Sequence, residues 1–205
     1  MADRLLLLTR EQKESFDADG FLHLKGFYGA AEMEEMRRQF AALVTDTEGR
    51  PKNMSYAFMD SPEGYEPDAY NPKNVVGMMD QTLANDYWFD QFTEPRIVSV
   101  MCDLLGPNID FHNGKVRNKP PGFTCAQGWH QDWPYERHSR PDLAAAITYL
   151  DPTDFEAGAT EVLAAYAAEI QQVQARGSYP TVDAIRINPD HPDRKSTRLN
   201  SSHLV

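Results

Sequence analysis

The chain has 205 residues and a formal net charge of -11, with 41% hydrophobic and 11% aromatic residues. These values suit one domain with a substantial core and exclude global disorder. The acidic charge argues against nucleic acid or an anionic membrane surface as a partner. Because the sequence has no secretory leader, no long apolar run and only two cysteines, we expect a cytoplasmic protein without a disulfide framework.

The first elements in chain order are a helix, a short strand and a second helix. Thr9 and Gln12 have the spacing of a capping box, which predicts a helix that ends near Gly20. Residues 21–24 predict a strand that a glycine turn precedes. Residues 30–44 keep a helical period of apolar positions, and glutamates crowd the first turns, where the helix dipole favours anions.

A long polar stretch separates these elements from two further helices. Residues 49–74 are rich in proline and glycine and predict a loop, and loops of this length are often functional lids. An aromatic helical turn is predicted around residues 88–92. Thr93 is predicted to cap the following helix, with Pro95 in its first turn and Gly106 at its end. The predicted buried stripe of that helix consists of Ile97, Met101, Leu104 and Leu105.

After Pro107 the apolar pattern changes from helical to alternating. Strands are predicted over residues 109–117, 129–133, 144–150 and 160–164. Helices therefore come first and strands later, which indicates an α+β fold rather than alternating βαβ units.

The segment that carries chemical information is Gly128-Trp129-His130-Gln131-Asp132-Trp133. Residues i and i+2 of a strand point to the same face, so His130 and Asp132 can reach one metal ion. One imidazole and one carboxylate supply two ligands of the facial triad that leaves open positions on Fe(II). The spacing alone is a weak signal, because it also fits a surface histidine and aspartate flanking a buried tryptophan.

Several further segments surround this motif in a fixed order. Phe16-Asp-Ala-Asp-Gly20-Phe21 and Leu104-Leu-Gly106-Pro107 precede it, followed by Phe111-His-Asn-Gly-Lys115 and Lys119-Pro-Pro-Gly122. Tyr149-Leu150-Asp151 and Glu156-Ala-Gly158-Ala-Thr-Glu-Val-Leu163 come after it. Together with the motif itself, these segments resemble the phytanoyl-CoA dioxygenase family over residues 7–165.

The resemblance implies a double-stranded β-helix, the cupin-like jelly roll, with N-terminal and flanking helices outside it. It also implies an Fe(II)/2-oxoglutarate-dependent dioxygenase that uses O2 to convert 2-oxoglutarate to succinate and to hydroxylate a C–H bond of a small molecule. His130 and Asp132 match the metal-binding and catalytic positions of this family.

Three further residues are candidates for binding 2-oxoglutarate. Lys115 lies on the strand before the motif, on the same face as Asn113 and Arg117, and an inward lysine could neutralise a carboxylate of this cosubstrate. Asn113 could hydrogen-bond the same ligand, and Thr148 could offer its hydroxyl. The alternatives are a solvated lysine on an edge strand and a β-branched strand residue without a ligand.

The C-terminal part departs from the family pattern. The family's second metal histidine and its carboxylate-binding arginine lie on a late strand, and His191 stands instead in a turn sequence with proline on both sides. We therefore predict a partial jelly-roll domain over residues 1–192 that lacks its late strands. Residues 193–205 look like a translated sequencing adapter and are predicted to be a non-native tail.

Two other functions are compatible with these residues. The chain could be a non-catalytic jelly-roll protein that binds a ligand, or a cupin-type metalloenzyme that does not use 2-oxoglutarate. The family's second metal histidine and its arginine in the full-length gene would separate the dioxygenase from the first of these, and consumption of 2-oxoglutarate would separate it from the second. No acyl-CoA or sugar motif is present to name the substrate.

Overall fold

A computed structural model describes residues 4–45, 50–51, 54–58, 71–120, 132, 142–154, 159–160 and 203–204. In these ranges the helices are α1 (Arg10–Asp19), α2 (Ala30–Thr45), α3 (Asp86–Phe92) and α4 (Pro95–Leu105), with 3-10 helices at Pro72–Asn74 and Gln81–Leu83. The strands are β1 (Phe21–Leu22), β2 (Ser55–Phe58), β3 (Val75–Met79), β4 (Lys115–Arg117), β5 (Ala145–Ala146) and β6 (His203–Leu204). None of the helices in these ranges is long and apolar enough to cross a membrane.

The chain divides into two compact units. The first comprises Met1–Lys25, Ser99–Ile109 and Gln127–Val205, and the second comprises Gly26–Val98 and Asp110–Ala126.

In the first unit, α1 begins and ends as its sequence predicts. The Thr9 hydroxyl accepts a hydrogen bond from the Gln12 backbone N–H at 3.2 Å, and the Gln12 side chain accepts one from the Thr9 N–H at 2.9 Å. Gly20 ends the helix with a φ of 77°, and its N–H donates to the Phe16 carbonyl at 2.8 Å. This left-handed backbone favours glycine, so both predicted signals for this helix are confirmed.

Asp103 of α4 anchors the segment that precedes α1 in the same unit. The backbone N–H groups of residues 6–8 donate to its carboxylate at 2.7, 2.9 and 2.8 Å. Burial disfavours the ionised form, but these three hydrogen bonds and the charge of Lys13 lower the pKa of Asp103 overall. One carboxylate thus accepts hydrogen bonds from three backbone N–H groups of a segment that is neither helix nor strand.

The sheet of the first unit has the order β1-β6-β5, and its strands run parallel. Phe21 and Ala145 both pair with His203. The strands predicted over 21–24 and 144–150 are therefore present but shorter than predicted. Those predicted over 129–133 and 160–164 lie outside the described residues, except for one residue of each.

In the second unit, Arg96 joins the starts of α2 and α4. Its guanidinium pairs with Glu32, donates to the Phe27 carbonyl at 3.1 Å and lies 5.3 Å from the centre of the Phe27 ring. Glu32 also accepts a hydrogen bond from the Gly29 N–H at 2.7 Å, at the beginning of α2. The hydrogen bond from Arg96, followed by that from Gly29, lowers the pKa of Glu32. The predicted helix over residues 30–44 is confirmed, with one additional residue at its end.

The core of the second unit forms around an antiparallel sheet of order β2-β3-β4. Tyr56 pairs with Met78, which in turn pairs with Val116. The buried residues of this core are Leu43, Met54, Phe58, Val75, Met78 and Trp88. Its central strand, β3, was absent from the sequence prediction because a continuous run of buried residues shows no alternation.

The remaining strands of this sheet also differ from the prediction. β2 lies inside the stretch of residues 49–74 that was predicted to be a loop. Residues 59–70 of that stretch lie outside the residues that the structure describes. The strand predicted over 109–117 is regular only at Lys115–Arg117. The Asp80 N–H donates to the Gly114 carbonyl at 2.7 Å, which continues the contact between the two chain segments beyond the paired residues.

The prediction that Thr93 caps α4 was wrong. The Thr93 hydroxyl donates to the Phe89 carbonyl at 3.2 Å and therefore ends α3. The Glu94 carboxylate accepts the Ile97 N–H at 3.0 Å and caps α4, with Pro95 directly after it as predicted. The fully buried residue of α4 is Val100, at 0% exposure, whereas the four residues predicted as its buried stripe are only half-buried.

Candidate metal and cosubstrate site

Asp132 is the one predicted metal ligand that the structure describes. It is half-buried and lies at a bend of the chain. His130 and the rest of residues 121–131 and 133–141 lie outside the described residues. Placement of His130 and Asp132 on one strand therefore stays a prediction.

The described residues alone do not complete a metal site. Among them, no group of three or more histidine, cysteine, aspartate or glutamate side chains could hold a metal ion. The Asp132 carboxylate offers the oxygen donor that Fe(II) accepts in facial-triad sites, and it fits one of the three protein positions of such a site.

Lys115 opens β4, where it pairs with Met79. Along β4 the side chains alternate between exposed, half-buried and exposed. Val116 packs against the core of the second unit, so Lys115 and Arg117 lie on the opposite face of the sheet. The predicted common face is confirmed for this pair, and Lys115 is exposed, as in the alternative of a solvated lysine on this strand.

Asn113 is half-buried and lies two residues before β4 rather than within the predicted strand. Thr148 was predicted in the middle of a strand, and the structure places it two residues beyond β5, with its side chain exposed. Asn113 and Lys115 belong to the second unit, and Asp132 and Thr148 belong to the first.

Sequence reasoning missed the contact between Gln81 and Gly114, next to these candidates. A Cβ atom at Gly114 would lie 2.8 Å from Gln81 Oε1 and 2.9 Å from its Nε2. Gln81 Oε1 is itself buried and has no hydrogen-bond partner among the described residues. Asp80, beside it, has a φ of 58°. The only local signal of this contact in the sequence is Gly114 itself, a glycine between two polar residues at the start of a strand. This signal does not indicate that Gln81 is the partner.

Comparisons with known proteins show that the chain is similar to dioxygenases. The family model for phytanoyl-CoA dioxygenase (PhyH) matches residues 16–196. A probable alpha-ketoglutarate-dependent hypophosphite dioxygenase of Stutzerimonas stutzeri is 25% identical over 162 residues, which is 77% of this chain and 52% of that protein.

Acireductone dioxygenases match over much shorter stretches. That of Prochlorococcus marinus (strain MIT 9313) is 62% identical over 45 residues, 22% of this chain and 24% of that protein. That of Synechococcus sp. (strain WH7803) is 56% identical over 43 residues, 21% of this chain and 24% of that protein. The chain thus spans between a quarter and about half of these curated relatives. No solved structure gives a significant match.

Proposed function

Because the chain belongs to the phytanoyl-CoA dioxygenase family, we propose that the whole protein is a non-haem Fe(II)/2-oxoglutarate-dependent dioxygenase that hydroxylates a C–H bond of a small molecule. The observation that carries this proposal is the family match over residues 16–196, which includes His130 and Asp132. The Stutzerimonas stutzeri relative is named as a probable alpha-ketoglutarate-dependent enzyme, which supports the same dependence. The fold that goes with this proposal is a double-stranded β-helix with helices outside it.

In this proposal His130 and Asp132 bind Fe(II), through an imidazole nitrogen and a carboxylate oxygen. Both residues must be deprotonated to act as ligands, so metal affinity falls as the solution is acidified. Bound Fe(II) supplies the activation of O2, and the protein orients cosubstrate and substrate around it.

Lys115, Asn113 and Thr148 are proposed to bind 2-oxoglutarate. The cosubstrate carries two carboxylates, and the one that does not face the metal needs a cationic or hydrogen-bonding partner. Lys115 offers an ammonium group on an exposed face of β4, which a ligand can reach from outside the core. The Asn113 amide and the Thr148 hydroxyl can donate hydrogen bonds to carboxylate oxygens.

Titration with Fe(II) under anaerobic conditions tests the metal site. We expect Asp132→Ala to bind Fe(II) more weakly than the unchanged chain, because the substitution removes a charged ligand. Asp110→Ala removes an equally charged, exposed aspartate and serves as the matched control, so it should bind Fe(II) like the unchanged chain. Equal affinity of the two variants would exclude Asp132 as a ligand.

The short matches to acireductone dioxygenases support a second candidate, oxidation of an acireductone without 2-oxoglutarate. These matches cover about a fifth of the chain, whereas the phytanoyl-CoA dioxygenase match covers most of it, and so we place this candidate second. Oxygen consumption with an acireductone and no 2-oxoglutarate would favour it over the first.

A further inference from the structure

Three aromatic side chains form a cluster on the surface of the second unit. Phe89 and Phe92 belong to α3, and Phe111 lies in the segment that leads to β4. The rings of Phe92 and Phe111 stack with their centres 3.8 Å apart, and Phe89 meets Phe92 edge to face with the ring centres 5.0 Å apart. These three residues, which we call the aromatic patch, therefore form one continuous apolar surface.

The aromatic patch is open to solvent. Phe89 is 51% exposed and Phe111 is 49% exposed. Trp88, the neighbour of Phe89 in α3, is buried in the core, so the core covers one face of this helix and leaves Phe89 outside. Single exposed apolar residues are ordinary on a protein surface, whereas exposed apolar residues in contact with one another mark an interaction surface.

The surroundings of the aromatic patch are acidic. Residues 80–95 contain four acidic residues and no lysine or arginine. Asp86 and Asp90 of α3 are exposed, and neither takes part in an ion pair within the part of the chain that the structure describes. Asp86 lies three positions before Phe89 and four before Asp90, so both carboxylates and this ring are neighbours on the helix surface. The rim of the patch thus attracts cations.

We propose that the aromatic patch, with Asp86 and Asp90 at its rim, is a docking surface for a basic and apolar segment of a partner protein. Apolar side chains of such a segment cover the exposed rings, and its lysine or arginine side chains pair with the rim carboxylates. A cation of this kind is also attracted to the face of an aromatic ring.

Charge complementarity decides between the possible occupants of the aromatic patch. A second copy of this chain carries the same acidic rim and the same net charge of -11, so like charges oppose self-association through this surface. An anionic lipid surface is disfavoured for the same reason. A partner segment with positive charge is attracted to the rim and can still bury the rings.

Fluorescence anisotropy of the full chain with a labelled peptide of leucine and lysine residues tests the proposal. Phe89→Ser should weaken peptide binding by about ten-fold or more, as expected for an aromatic anchor at an interface. Leu6→Ser removes another exposed large apolar side chain, in the first unit, and should leave peptide binding unchanged. A peptide with glutamate in place of lysine should not bind.

Asp90→Asn tests the rim while every ring is retained. We expect peptide binding to weaken by about two- to five-fold, the range for an exposed ion pair, and the difference to disappear at high salt. Glu14→Gln makes the same charge change at an exposed position of α1 and should bind like the unchanged chain. This comparison decides the proposal on its own if Phe89→Ser does not fold.

Equal peptide affinities of Phe89→Ser and Leu6→Ser would overturn the proposal, because the peptide would then bind only to the general negative charge of the chain. Equal affinities of Asp90→Asn and Glu14→Gln would likewise contradict the role of the rim. Sedimentation of the chain alone tests the other occupant. A dimer that Phe89→Ser converts to a monomer, without any peptide binding, would assign the patch to a second copy and overturn the proposal.

Discussion

At the scale of single residues, Lys115 offers a direct measurement of cosubstrate contact. If its ammonium pairs with a carboxylate of 2-oxoglutarate, Lys115→Ala should raise the dissociation constant of this ligand by about ten- to hundred-fold. Lys25→Ala removes another exposed lysine and should leave the constant unchanged. Isothermal titration of both variants in the presence of Fe(II) checks this, and equal constants would make Lys115 a solvated surface residue.

Gly114 is the second residue whose role can be measured, here through stability. The Cβ of Gly114→Ala would lie 2.8 Å from the Gln81 side chain, which has to move. We expect a loss of about 1–3 kcal/mol in the free energy of unfolding, as for other overpacked sites. Urea denaturation measures this loss.

A matched control and a double variant make the Gly114 result specific. Gly29→Ala places its Cβ in ordinary contact, 3.5 Å from Glu32 Oε2, and should cost less. In the background of Gln81→Ala, which removes the obstructing amide, Gly114→Ala should also cost less than it does alone. Additive costs in the double variant would show that the two side chains do not compete for this space.

At the scale of elements, the attachment of the N-terminal segment to α4 depends on the ionisation of Asp103. Its pKa is lowered in the folded chain, so its contribution to stability is present above the unfolded value of about 3.9. This contribution is lost as the pH falls through the lower, folded value. We therefore expect the amides of residues 6–8 to lose protection from hydrogen exchange in acid before the rest of α4 does.

Asp103→Asn should produce the same local release at neutral pH, because a neutral amide accepts these hydrogen bonds less strongly and lacks the charge. Asp110→Asn, at an exposed position outside this contact, is the matched control. Unchanged exchange of residues 6–8 in Asp103→Asn would show that the carboxylate does not hold the segment.

Local signals in the sequence were enough for the helices, because caps and apolar period act within a few residues. The capping box of Thr9 and the left-handed Gly20 are examples. β3 could not be predicted in the same way, since a strand covered on both faces has no alternation. The exchange of roles between Thr93 and Glu94 has a similar cause, since both can accept hydrogen bonds from a helix start and only the packed structure decides between them.

The candidate site was predictable to a different degree at each position. The common face of Lys115 and Arg117 follows from strand alternation, and the structure confirms it. The exposure of Lys115 depends on which face the core covers, and Val116 decides that through contacts with β3. The Gln81–Gly114 contact joins residues 33 positions apart, so no local pattern encodes it.

At the scale of the whole molecule, the family match and the predicted domain have nearly the same end. The match ends at residue 196, and the predicted domain ends at residue 192. In the structure, His203–Leu204 pairs with β1 and with β5. Each pairing involves two residues, and parallel pairs are slightly less stable per residue than antiparallel ones. The prediction that residues 193–205 are a non-native tail therefore stays a prediction.

The most direct test of the central claim is succinate formation from 2-oxoglutarate by the whole protein. We predict that succinate appears only with Fe(II) and O2, that Asp132→Ala abolishes it and that Asp110→Ala retains it. A protein that binds 2-oxoglutarate but never consumes it would be a ligand-binding jelly roll. Succinate formation that is unchanged in Asp132→Ala, or that needs no Fe(II), would contradict the account.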